Sequence, residues 1–168
     1  MSRAEVETLN GLTQQSFTGS ALFEKTFDEG MALVEETARY LDGPGREEAR
    51  NLSRKGAILY AGESMRVTTR MMQAASCLLV QRAVHDGDME PDAASSSRYR
   101  LGSKEICLGS ASENVEDVLP APLQDLLIRS ENLYRRIARL DDILFGKTQA
   151  PAPGARAHFN RLEQAFGE

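Results

Sequence analysis

With 168 residues, 27% of them charged and a net charge of −5, the chain is long enough for one domain with a core of its own. Its acidic balance argues against non-specific nucleic-acid binding, which needs a basic surface. No apolar run approaches the ~18 residues of a membrane-crossing helix, and the opening MSRAEVETLN lacks the apolar segment of a signal peptide, so a cytoplasmic protein without membrane insertion is expected.

Residues 1–18 have weak periodicity and are expected to be partly disordered; a helical domain over 19–146 and a tail over 147–168 follow. The first helix is predicted to start after Ser20, a suitable N-cap, although Phe23 stands where a full capping box places Glu or Gln. Phe23, Phe27, Gly30, Val34, Thr37 and Leu41 alternate spacings of four and three, a seam that packs along another helix. Asp42-Gly43-Pro44-Gly45 ends it, since Gly43 can take a left-handed cap and Pro44 cannot continue the helix. A second helical stretch begins near Arg46 and runs back antiparallel. A break at Leu52-Ser53 then leads into a long helix from about Arg54 to Asp86.

That long helix is the centre of the chain. Met65, Thr68, Met72, Ala75, Leu79 and Ala83 share one stripe, and Val67, Met71, Ala74 and Leu78 an adjoining one. Together they exceed the roughly 100°-wide apolar face of a surface helix, so two sides need covering. Met65, Met71, Met72, Leu78 and Leu79 are therefore candidates for the core or for a dimer face. The unbranched methionines suit either a filled core or a Met-lined groove.

Gly87 to Val118 is serine-rich and long for a loop. It is expected to be flexible, with a helical turn at Met89–Ala94 and a small hairpin pairing Arg98–Leu101 with Glu105–Leu108. The third main helix starts at Pro120 or Pro122. Leu123, Leu126, Ser130, Leu133, Ile137, Leu140 and Leu144 then repeat in strict steps of three and four up to a C-cap at Gly146. Three seams give an all-α fold, an antiparallel three-helix bundle with a long central helix. Beyond it, QAPAPG reads as a tether, and Phe159, Leu162 and Phe166 as an amphipathic segment able to dock on the bundle, fold onto a partner or stay disordered.

Catalytic and ligand chemistry is sparse. His85 and His158 have no second ligand at zinc spacing. Asp86, Asp88 and Glu90 open like a calcium loop, but Pro91 stands where its glycine belongs and Ser97 at its last ligand position. Ser64 lies in GESMR rather than a nucleophile elbow, and Gly43–Gly45 is a helix-ending turn rather than a phosphate loop. Cys77 within a helix and Cys107 in a polar connection do not suggest a disulfide framework. No cofactor is implied and no enzyme is expected. Glu63, Arg66 and Arg70 sit at contact spacing and read either as pairing at the bundle edge or as a partner-binding set. Arg129, Arg135, Arg136 and Arg139 form a basic strip diluted by Asp125, Glu131, Asp141 and Asp142, a solvated face with DNA binding as the alternative.

GMALVEETARYLDGPGR (30–46), ESMRVTTRMMQAASCLLVQRAVHDGDM (63–89) and LIRSENLYRRIARLD (127–141) resemble, in the same order, blocks of the RcdA family, the regulators of CtrA degradation. Cys77 stands where that family has a larger aromatic residue, and Ser53 where proline is common. The resemblance implies three helices in a homodimer with a mobile tail, in a cytoplasmic alphaproteobacterial protein recruited to the cell pole. It implies a non-enzymatic adaptor that helps deliver cell-cycle regulators, CtrA among them, to the ClpXP protease alongside CpdR-like and PopA-like adaptors. In that reading Phe159, Leu162 and Phe166 of the tail contact one partner and the bundle, through Glu63, Arg66 and Arg70, holds another. The alternative is a DNA-binding or structural dimer using the basic strip.

Overall fold

Helix α1, Ala21–Asp42, begins where Ser20, in extended backbone, accepts a hydrogen bond from the Phe23 amide at 3.2 Å. The computed structural model describes residues 19–109 and 118–145; the expected tail segment with Phe159, Leu162 and Phe166, and residues 1–18, lie outside them. The buried positions of α1 are Phe23, Thr26, Gly30, Leu33, Thr37 and Tyr40, with Phe27, Val34 and Leu41 half-buried beside them. The seam is thus one residue wider than the strict repeat, because α1 packs into the trough between two helices rather than along one.

Gly43 ends α1 with φ −115°, not in the left-handed region: its amide donates to the carbonyls of Arg39 and Tyr40 instead. Helix α2, Pro44–Arg50, follows at once with proline in its first turn, where the missing N–H costs nothing. Gly45 is buried under the two rings of Tyr40 and Tyr60. A Cβ there would collide with the Tyr60 hydroxyl and stand 2.9 Å from the Tyr40 carbonyl oxygen. Gly45→Ala should therefore lower stability by about 1–3 kcal/mol, the usual cost of overpacking. The midpoint of urea unfolding followed by far-UV circular dichroism measures it.

Helix α3, Arg54–His85, is 32 residues long and capped by Ser53, whose hydroxyl accepts from the Gly56 amide at 3.1 Å. At 1.5 Å per residue it runs roughly 50 Å. Ser53 thus contributes a helix cap of about 1 kcal/mol. Helix α6, Ala121–Phe145, completes the bundle. Its expected seam is observed: Leu123, Leu126, Ser130, Leu133, Ile137 and Leu144 are buried and Leu140 is half-buried. Each such leucine contributes about 1.5–3 kcal/mol by leaving water.

Helix α1 is antiparallel to both long partners. Glu24 meets Arg82 and Gly30 meets Leu78 across α3, while Glu36 meets Arg129 and Glu29 meets Arg136 across α6. The remaining pair, α3 and α6, is parallel. Gly56 sits against Val118 at one end, Arg70 reaches Leu127 in the middle, and Cys77 shares a small void with Ile137 and Asp141 further along. Parallel neighbours require the intervening chain to travel back along the bundle, which explains its length.

That return segment is the main correction to the sequence reading. The expected helical turn is present as α4, Pro91–Ala94. The expected hairpin is not: Lys104–Leu108 forms helix α5, and no strand occurs among the described residues. Nor is the described part of the connection loose. Ala94, Leu101 and Cys107 are buried. Gln73 accepts from the Gly102 amide at 2.8 Å, Tyr134 donates to the Gly102 carbonyl at 2.7 Å, and Arg100 shares its Nε–H between the two Asp141 carboxylate oxygens at 2.9 and 3.0 Å. Ser103 turns the chain with φ 56°, the left-handed conformation. A serine-rich composition predicts mobility only if nothing captures the backbone; here side chains of α3 and α6 do.

Burial also fixes the alkaline limit of the fold. It pushes the Cys77 thiol up to about 12, and raises Cys107, Tyr40, Tyr60 and Tyr134 above their ordinary values. Below about pH 7.5 these groups are neutral in both folded and unfolded chains, so they cost nothing there. Above that, the unfolded chain ionises first and the native state loses up to ~1.4 kcal/mol per pH unit for each group. Stability measured by chemical denaturation should be flat to about pH 7.5, begin to fall as the unfolded thiols ionise and fall progressively toward pH 12.

Candidate functional site

The sequence leaves two apolar stripes on α3 to be assigned, and the bundle assigns them. Val67, Met71, Ala74 and Leu78 face α1 and α6 and are buried. The other stripe points directly away from the core. Met65 is 70% exposed, Met72 67%, Leu79 52%, and Ile58, which continues it by one heptad, 68%. Of the five candidates for core or dimer face, Met71 and Leu78 are therefore core, and Met65, Met72 and Leu79 are surface. Every exposed residue from Ile58 to Leu79 is uncharged: Ile58, Ala61, Gly62, Met65, Thr68, Met72, Ser76 and Leu79. Isolated exposed apolar residues are ordinary, but an uncharged face six turns long on a chain with 27% charged residues is a candidate interaction surface.

Glu63, Arg66 and Arg70 lie on the inward side, and the expectation that they bind a partner directly is corrected by their burial. The Glu63 and Arg70 side chains are each 2% exposed and that of Arg66 18%. Arg66 stands 3.4 Å from the Glu63 carboxylate and donates to the Gly109 carbonyl at 2.7 Å. Arg70 donates to the Cys107 carbonyl at 2.8 Å, the Leu127 carbonyl at 2.9 Å, the Ser130 hydroxyl at 3.3 Å and the Glu131 carboxylate at 3.1 Å. Burial lowers the affinity of the Arg70 guanidinium for its proton, against the opposing pull of Glu131. A planar fork of five donors can serve four acceptors at once, which no other cation can do. The set clamps α5 to the two parallel helices.

The basic strip is compensated. Arg129 forks onto Glu36 at 2.6 and 2.7 Å and also reaches Asp125 at 2.8 Å. Arg135 pairs with Glu131 at 2.7 Å and Arg136 with Glu29 at 2.5 Å. The hydrogen bond from Arg129 holds the Glu36 carboxyl below its usual range. These contacts staple α1 to α6 and leave no bare positive field over Arg129–Arg136, so the DNA-binding alternative loses its footing.

Two features escaped the sequence reading. A groove of about 450 Å³ opens between α2 and the first half of α3, lined by Arg46 and Arg50 on one side and Tyr60 and Met65 on the other. It depends on how α2 is turned, which no periodicity in seven residues sets. The polar clamp around α5 was equally hidden, because its acceptors are backbone carbonyls that every residue type supplies. Ile58 alone carried a signal, its seven-residue spacing to Met65. No group of acids, cysteines and histidines among the described residues is placed to hold a metal, and no described helix is long and apolar enough to cross a membrane.

An all-helical scaffold that presents one uncharged helix face and one arginine-lined groove is the class of protein defined here. Residues 14–166 match the family described as Protein of unknown function (DUF1465). A crystal structure of RcdA from Caulobacter crescentus CB15 is 50% identical, with 78% of this chain covering 97% of that one at a TM-score of 0.64. No curated protein matches the chain. The chain belongs to the RcdA family.

Proposed function

We propose that this protein is a non-enzymatic adaptor in regulated proteolysis, a homodimer that helps deliver CtrA and other cell-cycle regulators to ClpXP together with CpdR-like and PopA-like adaptors. The observation that carries it is the 50% identity to RcdA along 97% of that chain. The fold supports it: surfaces suited to other proteins are present, and Glu63, Arg66, Arg70 and Arg82 of the central helix make contacts within the bundle. The tail beyond Gly146, with Phe159, Leu162 and Phe166, serves a second partner in this reading, and the adaptor is drawn with its partners to the cell pole.

The dimer uses the outward face of α3. Ile58, Met65, Met72 and Leu79 follow at intervals of seven, so the row is symmetric about the midpoint between Thr68 and Thr69. An antiparallel pairing about a two-fold axis there sets Met65 against Met72 of the partner subunit and Ile58 against Leu79 of the partner subunit. The residues between are small, Ala61, Gly62, Ala75 and Ser76, which lets two helices approach.

The adaptor reading is tested by reconstituted degradation of CtrA with ClpXP, the CpdR-like and PopA-like adaptors, and this protein present or absent. Faster loss of CtrA in its presence, and slower loss when the chain is cut at Gly146, is the expected result. A rate indifferent to the protein would remove the adaptor role, and one indifferent to the cut would remove the tail's part in it.

A further inference from the structure

The α2–α3 groove has a defined chemistry. Arg46 and Arg50 stand one helical turn apart and line the same wall, while Leu41, Ala49, Tyr60 and Met65 supply apolar surface. No acid lines it among the described residues. The arginines do pair outside the groove, Arg46 with Asp42 and Arg50 with Glu47, but these contacts join side chains 66–78% exposed. Such pairs are weak and readily exchanged for a carboxylate held in a less hydrated place. The facing wall offers hydroxyls at Ser64, Thr68 and Thr69. Each donates its proton to a carbonyl of its own helix, those of Ala61, Ser64 and Met65. What they present outward is acceptor capacity. The groove therefore has fixed cations on one side, acceptor oxygens on the other and apolar surface between.

We propose that this groove docks a short acidic peptide segment of a partner protein. Its carboxylates sit on Arg46 and Arg50, an apolar side chain lies against Leu41, Ala49 and Tyr60, and its backbone N–H groups face the α3 hydroxyls. A basic segment finds no acid in the lining to pair with. The segment's source as a delivered substrate or fellow adaptor rests on the adaptor reading above; the binding chemistry does not. Met65 and Thr68 also belong to the outward face of α3, so a second copy of the chain is the competing occupant.

The test uses the full-length protein, fluorescently labelled, on an immobilised array of short synthetic peptides. Each peptide carries one leucine with glutamates, lysines or neither at varied spacing. Glutamate–leucine peptides should be retained about tenfold better than lysine–leucine or leucine-only ones, and retention should fall with added salt. Both Arg46→Glu with Arg50→Glu and the milder Arg46→Ala with Arg50→Ala should abolish the preference while circular dichroism stays unchanged. No selection, selection of leucine without regard to charge, or a preference that survives both double variants would overturn the proposal. So would conversion of dimer to monomer by those variants, which would give the groove to a second copy. Acidic-peptide selection alongside CtrA degradation indifferent to the protein would sink the adaptor role alone; the reverse pair of results would sink the groove alone.

Discussion

Arg70→Leu is expected to cost the fold about 2–4 kcal/mol and to free the segment around α5 before the bundle itself melts. The reasoning starts from what the guanidinium leaves behind. The Cys107 carbonyl loses a donor inside the protein at a cost of about 1–3 kcal/mol, while the Leu127 carbonyl loses less because it keeps the Ser130 hydroxyl at 3.0 Å. Glu131 is half-buried and also bonded to Arg135, so its charge is rehydrated at little expense. Leucine refills part of the volume, which keeps the total near the middle of the range. At about 3 °C per kcal/mol the melting temperature should drop by about 10 °C. Local release has its own readout. Cys107 is fully buried beneath the clamp, so it should resist a thiol reagent in the parent protein and react in the variant, while Cys77 in the core of α3 stays protected in both. Arg70→Lys keeps the charge but offers a point donor in place of a fork, and should recover less than half of the loss. A variant that keeps its melting temperature and leaves Cys107 unreactive would show that the clamp is incidental to the fold.

The clamp also marks the boundary of what residue patterns could reveal. Ser20, Gly43, the Leu52-Ser53 break, Asp86 and the Leu123–Leu144 repeat set the ends and faces of the three long helices, because caps and periodicity are local physics. The return segment defied the same reasoning. Its serines and glycines carry weak local preference, and its order comes from Arg66, Arg70, Gln73 and Tyr134, which lie 29 to 43 residues away from its backbone groups. The spacing of Glu63, Arg66 and Arg70 was visible, but whether charges beside an apolar stripe face a partner or the interior depends on where the other helices lie. Likewise the α3 sequence required two covered sides without saying which stripe met its own bundle. Met71 and Leu78 went inward, and Met65, Met72 and Leu79 outward, because α1 and α6 both approach α3 from the side of Val67 and Ala74.

That outward stripe gives the second large effect: Met65→Asp combined with Met72→Asp should convert a dimer to a monomer without unfolding it. In the isolated chain both side chains are about two-thirds exposed, so a carboxylate at either position stays in water and costs the monomer little. In the antiparallel pairing each aspartate of one subunit faces an aspartate of the other, since positions 65 and 72 meet. Two like-charge contacts, desolvated, replace two methionine contacts. Either change weakens association by at least about hundredfold, or 2.7 kcal/mol. Size-exclusion chromatography with light scattering should give twice 18.5 kDa for the parent and 18.5 kDa for the double variant, with unchanged helical circular dichroism. The register has a sharper consequence. A chain with Met65→Asp and a chain with Met72→Lys should each dimerise poorly alone but form a mixed dimer together, since each two-fold-related contact then joins position 65 of one chain to position 72 of the other, and one of the two pairs is opposite in charge. A parallel pairing would instead bring each position against itself, and would restore both contact levels only halfway, with methionine against charge at each. Recovery of the mixed dimer that is lost when lysine is moved to Met65 separates the antiparallel register from the parallel one. A parent protein that elutes at 18.5 kDa would refute the dimer face altogether.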